Sequence, residues 1–271
     1  MKEIKSLHGN MAVLSRLGPM LKDPNSDIDD AARLIRSDGA LAASIIRISN
    51  SALYGRGEPV ASVNAALGKV GFNEGLRLVG LALSKQVFMR DLRVYGISAD
   101  DYWRVSYLSG LFLEEIAPRI GANHDDAYLV GLLHLIGKVV LNELEDPAAT
   151  EVYWDSTLPV EAWEDIMFGL HFDQAGAALL QAWNFPESIH SRVEQQLDTD
   201  AQQADPILGA VAFIKEIFML NHYDFELPGW GVPDEHIFYQ QADTTPEYAL
   251  ADLRRCLRQL GKIKRNIKGQ D

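Results

Sequence analysis

Tyr128-Leu-Val-Gly-Leu-Leu-His-Leu-Ile-Gly-Lys-Val-Val-Leu141 is apolar on nearly every helical face, with only His134, Lys138 and two glycines breaking the run. A helix that is greasy all round must be enclosed on all sides. The segment therefore predicts the central helix of a helical domain. The longest apolar runs, Tyr128–Ile136, already interrupted by His134, and Ile207–Ile214, fall short of the ~20 residues needed to cross a bilayer.

Working outward, helical spacing recurs along the chain. Ile28, Ala31, Ala32 and Ile35 make one stripe, Leu41, Ile45, Ile48 and Ala52 a second, and Val63, Ala66, Leu67 and Val70 a third. Leu76, Val79, Leu83 and Val87 follow, then Val105, Leu108, Phe112 and Ile116, then Phe172, Ala175, Leu179 and Trp183. Ile207, Ala210, Val211 and Ile214, and finally Leu250, Leu253, Leu257 and Leu260, complete the set. Each stripe falls on one helical face, and no segment alternates as a strand would. The fold class is all-α. Ser26 or Asp27, Ser62, and Ser98 with Asp101 suit helix starts, and Gly71 suits a helix end. Pro118, Pro147, Pro159 and Pro186 punctuate the second half, and Glu226–Pro246 reads as a long irregular excursion.

Charge divides the chain. The total is −13 over 271 residues, yet residues 98–253 hold 5 basic and 28 acidic groups, while residues 1–97 sum to +4 and 254–271 to +6. The change of sign near Leu92–Gly96 suggests two lobes, 1–97 and 98–271. An acidic body of this size repels phosphate backbones, so nucleic acid is not an expected partner. The basic tail (Arg254, Arg255, Arg258, Lys262, Lys264, Arg265, Lys268) reads as a solvated helix end or a dock for an acidic surface. The single Cys256 excludes a disulfide framework and fits a reducing compartment, where it reads as an idle surface thiol. The N-terminal MKEIKSLHGN has no apolar run after its lysines, so a cytoplasmic protein without a membrane partner is expected.

Among the seven histidines, His134 stands inside the apolar segment, where an imidazole is either a hydrogen-bonded core group or a metal ligand. His124-Asp125 lies ten residues earlier, and its carboxylate with Asp126 suits the positive end of the coming helix. Asn50, Ser51 and Tyr54 close a first-lobe helix, where they either satisfy loose backbone groups or form a recognition surface. Trp230 is either an exposed anchor or tucked into its own domain.

Gly131-Leu-Leu-His-Leu-Ile-Gly-Lys138 resembles the Gly-Leu-Leu-His-Asp-Ile-Gly-Lys centre of the HD superfamily of metal-dependent phosphohydrolases. The chain as a whole, over residues 10–200, resembles the bacterial regulatory branch of that superfamily, the HDOD-domain proteins. The resemblance runs through Ile45-Ile-Arg-Ile-Ser-Asn-Ser-Ala-Leu-Tyr-Gly55, Ser62-Val-Asn-Ala-Ala-Leu with Val70-Gly71, and Trp103 with Ser106. It continues through Glu164-Asp-Ile-Met-Phe-Gly-Leu-His171, Gly176, Leu179, Leu180 and Trp183-Asn-Phe-Pro186. It implies two helical lobes, an N-terminal orthogonal bundle followed by an HD-like domain.

The same resemblance implies that the metal chemistry is lost. Leu135 stands where the ligand aspartate belongs. No histidine lies between Gly96 and Asn123, where one would be expected near Val105, and Gln196 and Leu197 fall where many relatives carry a His-His pair. His134 and His171 remain as vestiges, short of the about three protein ligands a catalytic metal needs. The expectation is a non-catalytic signalling or scaffolding protein, with no cofactor or metal, that acts on protein partners of a bacterial pathway. Asn50, Ser51, Tyr54 and Trp183 are its candidate interaction or structural residues. The alternative is a phosphohydrolase with an altered site built from His134, His171 and Glu164 or Asp165. A third reading is a nucleotide-sensing pocket without turnover.

Overall fold

The computed structural model describes residues 28–37, 39–50, 58–71, 75, 90–144, 153–183, 185–225 and 229–268. It divides into two compact units, one of residues 1–89, 183–186 and 259–271, the other of 90–182 and 187–258. Every regular element among the described residues is helical, apart from one isolated antiparallel bridge between Leu92 and Ile97. The all-α reading holds.

In the first unit the described helices are α1 (Ile28–Arg36), α2 (Gly39–Ser49) and α3 (Val63–Val70). Their stripes are the core: Ala31, Ala32, Ile35, Leu41, Ile45, Ile48, Val63, Ala66 and Leu67 are all buried. Ser62 caps α3 by accepting from the Ala65 N–H, and Gly71, at φ +88°, closes it with its N–H on the Leu67 carbonyl. The expected caps Ser26 and Asp27 and the Leu76–Val87 stripe lie outside the described residues.

The second unit opens on a 3-10 turn, Arg93–Tyr95, closed by the Leu92–Ile97 bridge. Next comes α4 (Ala99–Ile116), which Ser98 caps through the Asp101 N–H and its carboxylate. The apolar segment follows as two helices, α5 (His124–Leu133) and α6 (Ile136–Leu144), and not as the single helix its composition predicts. The chain turns at His134–Leu135, a break that composition does not signal. The reading of the segment as enclosed stands: of the described residues, His124–Leu144 is the one stretch long and apolar enough to span a bilayer, and its most apolar window is 78% buried inside the protein. Asn123 is the cap of α5, its side chain accepting from the N–H groups of Asp125 and Asp126. The two carboxylates occupy the first turn, where the helix dipole favours them.

The remaining helices are α7 (Val160–Phe168), α8 (Phe172–Ala182), α9 (Glu187–Gln195), α10 (Thr199–Ala204), α11 (Pro206–Leu220), α12 (Ile237–Gln241) and α13 (Pro246–Lys268). Helix α12 falls inside the stretch read as irregular. Trp230, in the same stretch, is buried against Phe218 and Phe225 and donates its indole N–H to the Asp224 carbonyl at 3.1 Å, so it is not an exposed anchor. Cys256 is likewise buried and not on the surface. Burial first, and the carboxylates of Glu115 and Asp252 second, push its thiol up to about 12, the opposite of activation by its arginine neighbours.

Two glycines set the spacing around the turn. A side-chain carbon added at Gly137 would lie 1.7 Å from the Phe172 carbonyl oxygen and 2.6 Å from the Gly176 nitrogen. One at Gly131 would lie 2.6 Å from the Ser109 carbonyl oxygen. Hydrogen in place of a methyl lets α6 meet α8, and α5 meet α4, backbone against backbone.

Candidate functional site

His134 is fully buried at the α5–α6 turn. Its Nδ1 sits 2.7 Å from the Gly131 carbonyl and donates to it, which leaves Nε2 as an acceptor with no hydrogen-bond partner among the described residues. Burial, with a further push from the Lys215 and Lys138 ammonium groups, lowers its pKa to about 3. The imidazole is neutral at physiological pH. Gln196 closes the turn from the end of α9, its amide donating to the carbonyls of His134 and Val193, both at 2.8 Å. The Tyr102 hydroxyl donates to the Leu135 carbonyl at 3.2 Å. Gln196, met in the sequence as a failed ligand position, is thus a strut of the turn.

One helical turn beyond His134, Lys138 is buried and extends along two aromatic rings, its Nζ 4.0 Å from the centre of Tyr95 and 4.6 Å from that of Phe172. Its partner is Glu164, which has no exposed surface, at 3.5 Å. The same carboxylate accepts from the Tyr95 hydroxyl at 2.8 Å and, through its second oxygen, from the Phe172 N–H at 2.9 Å. Both oxygens are committed, to donors from three elements besides α7: the 3-10 turn, α6 and the start of α8. Burial lowers the Lys138 pKa to about 8, while Glu164 pulls it back up, so at neutral pH the ammonium persists. Lys215 of α11 lies 5.2 Å from the Phe172 ring and is also lowered, chiefly by burial. Burial and the neighbouring Glu164 carboxylate push the Tyr95 phenol up.

The other sequence candidates make no side-chain hydrogen bond or ion pair with His134, Lys138 or Glu164 among the described residues. His171 is half-buried just before α8, where its backbone N–H reaches the Gln174 side chain at 3.4 Å. Asp165 faces solvent. Asn50 is a structural pin: its amide donates to the Val60 carbonyl at 2.7 Å and its oxygen accepts from the Val60 N–H at 2.9 Å, joining the end of α2 to the approach to α3. Ser51 and Tyr54 lie outside the described residues. Trp183 is buried, with 2% of its surface exposed, so its ring serves packing.

These features define a helical domain whose centre is held by an internal ion pair. The HDOD domain family matches residues 10–199, and the chain belongs to that family. Solved structures agree on the fold. An HDOD domain protein of unknown function from Geobacter sulfurreducens aligns with a TM-score of 0.65 at 22% identity, covering 91% of this chain and 88% of that one. A candidate phosphohydrolase from Shewanella amazonensis gives 0.63 at 19% identity over 94% and 90%. A candidate signal transduction protein from Marinobacter aquaeolei gives 0.67 at 21% over 91% of this chain and 56% of that one. An uncharacterized protein of Treponema pallidum (strain Nichols) is 27% identical over 220 residues, which take up 79% of this chain and 42% of its own length.

The divalent cation of the wider HD superfamily does not fit the residues present. Among the described residues no three of His, Cys, Asp and Glu converge as a cation site. Glu164 already serves Tyr95, Phe172 and Lys138, and the Lys138 ammonium supplies the positive charge that a metal would bring.

Proposed function

We propose that the protein is a non-catalytic HDOD module of bacterial signalling that works by presenting helical surfaces to protein partners. One observation carries the reading. Glu164, the buried carboxylate paired with Lys138, accepts from that lysine, a tyrosine hydroxyl and a backbone N–H. A carboxylate so engaged keeps at most one acceptor position, and an adjacent ammonium repels a metal. Leu135, where the superfamily has a carboxylate, lends only its backbone oxygen, which serves Tyr102. Without a cation there is no Lewis acid to polarise a phosphoester or to lower the pKa of a water.

The test is metal analysis of the purified chain beside a panel of phosphomonoesters, phosphodiesters and nucleotides. Substoichiometric metal and no turnover are expected. One tightly held divalent cation per chain, with turnover abolished by His134→Ala, would overturn the proposal. A second reading keeps some weight from the free acceptor at His134 Nε2: an altered phosphohydrolase centre would begin at that nitrogen, and the same panel reveals it.

A further inference from the structure

Helix α7 presents inward Trp163 and the buried Glu164, and outward, with the bend before it, several apolar side chains. Ile166 is 71% exposed, Met167 39%, and Leu158, just before the helix, 41%. Pro159 and Ala162 are exposed between them. Ala162 and Ile166, four apart, share one side of the helix, and Leu158 lies in the bend that leads into it. Apolar side chains gathered on one exposed face mark interaction surfaces, whereas single ones do not.

The rim decides what such a face can receive. Asp155 and Asp165 are exposed, and Glu161 half-exposed, around these side chains. Between Lys138 and Arg192 the chain has no Lys or Arg at all and ten Asp and Glu; Lys138 and Lys215 act on Glu161, which leaves the outward negative charge to Asp155 and Asp165. An anionic membrane or a phosphate backbone would be repelled. A second copy packed face to face would set carboxylate against carboxylate, which disfavours association.

We infer that the outer face of α7, led into by Leu158 and Pro159 and centred on Ile166, docks a basic amphipathic helix of a partner protein. Such a helix lays its apolar side on Leu158, Ala162, Ile166 and Met167 and its flanking Lys or Arg on Asp155 and Asp165. The inference gives the proposed scaffold a place and a partner chemistry, and it rests on that reading.

The probe is a labelled amphipathic peptide of Leu and Lys, about five helical turns long, titrated with the full chain by fluorescence anisotropy. A Leu and Glu peptide of the same pattern runs alongside. The Leu/Lys peptide binds and the Leu/Glu peptide does not. Ile166→Gln, which removes apolar contact alone, weakens binding about tenfold. Asp165→Lys weakens the Leu/Lys peptide and admits the Leu/Glu one, while Asp200→Lys, on the exposed face of α10, leaves both curves in place. Circular dichroism confirms that the three variants, all at exposed positions, keep their helices.

Equal weakening by Asp200→Lys and Asp165→Lys would show diffuse attraction to an acidic protein and overturn the inference. So would absence of binding, tight binding of anionic vesicles or duplex DNA, or a dimer in sedimentation that Ile166→Gln dissolves. The two proposals fail separately. Flat peptide curves remove the docking face and leave the metal analysis as it stands, and metal-dependent turnover removes the scaffold and leaves the peptide curves unchanged.

Discussion

Glu164 and Ile166 stand two residues apart on α7 and have exchanged the places their chemistry would assign them. The carboxylate has no exposed surface, and the isoleucine keeps 71% of its own. The difference lies in what surrounds each. Three donors converge on Glu164, so its burial is compensated group by group. Nothing comparable covers Ile166. A charge tolerated inside a helical domain, beside an aliphatic residue left outside it, indicates that stability is held by the inner face and that the outer one is free for contact.

The largest effect is expected from breaking the inner face. Glu164→Gln leaves Lys138 as a buried ammonium without its counter-charge, a change that costs about 3–5 kcal/mol when one member of a buried pair is removed. Adding Lys138→Met to that variant removes the stranded charge and should recover much of the loss. The double variant then lies well above the sum of the two single ones. Urea denaturation of the four proteins measures it, and strictly additive losses would show that the two side chains act independently.

A similar cost, about 3 kcal/mol and at the top of the overpacking range, is expected for Gly137→Ala. The added methyl would lie 1.7 Å from the Phe172 carbonyl, and Phe172 also gives its N–H to Glu164. The substitution thus pries α8 away from α6 at the residue that completes the carboxylate. Gly169, at φ +63° with nothing near a would-be side chain, offers the contrast. Alanine there is strained by its backbone alone, and the expected loss is about 1 kcal/mol.

Most of the fold could be read in the sequence, because a helix that buries one stripe repeats that stripe in its residue order. Val105, Leu108, Phe112 and Ile116, and Ile207, Ala210, Val211 and Ile214, are all buried as their spacing requires. The local caps at Ser62 and Ser98 were equally legible, since a cap and its acceptor lie within three residues. Half of the site was not. His134 announced itself as a lone imidazole in an apolar run, whereas Lys138 stood in the same run only as an interruption. Its partner is 26 positions away on another helix, and no local period links Lys138 to Glu164, or either to Tyr95. The turn at His134–Leu135 was hidden too, because both halves of the segment are greasy enough to pass for one helix. Cys256, read as a surface thiol, was misleading for a related reason: its burial depends on tertiary neighbours that composition does not specify.

Acid should probe the same inner region through a single proton. His134 titrates near 6.5 in an unfolded chain and is held near 3 in the folded one, so between those values the unfolded state binds the extra proton. Its contribution is complete above about pH 6.5 and declines as the pH falls toward 3, by at most about 1.4 kcal/mol per pH unit. His134→Gln removes this dependence. Urea midpoints at successive pH values from 7 to 4 should fall more steeply for the natural chain than for the variant, and parallel lines would mean that the imidazole takes up its proton alike in the folded and unfolded chains.

The smallest effect completes the contrast. Ile166→Gln exchanges an exposed branched aliphatic side chain for a polar one on the outer face of α7, where the fold buries little of it. Helix propensity differs only slightly between the two residues, and no hydrogen bond or ion pair is removed. Stability should therefore change by no more than about 0.5 kcal/mol, measured in the same urea titration that registers the Glu164 loss. A cost of about 2 kcal/mol or more would mean that Ile166 is packed in solution, by a neighbouring segment or a second chain, and the division of α7 into a structural face and a free one would fail. A neutral result joined to the loss of Leu/Lys peptide binding in the same variant would separate the two faces by function, since one side chain would then matter to recognition and not to folding.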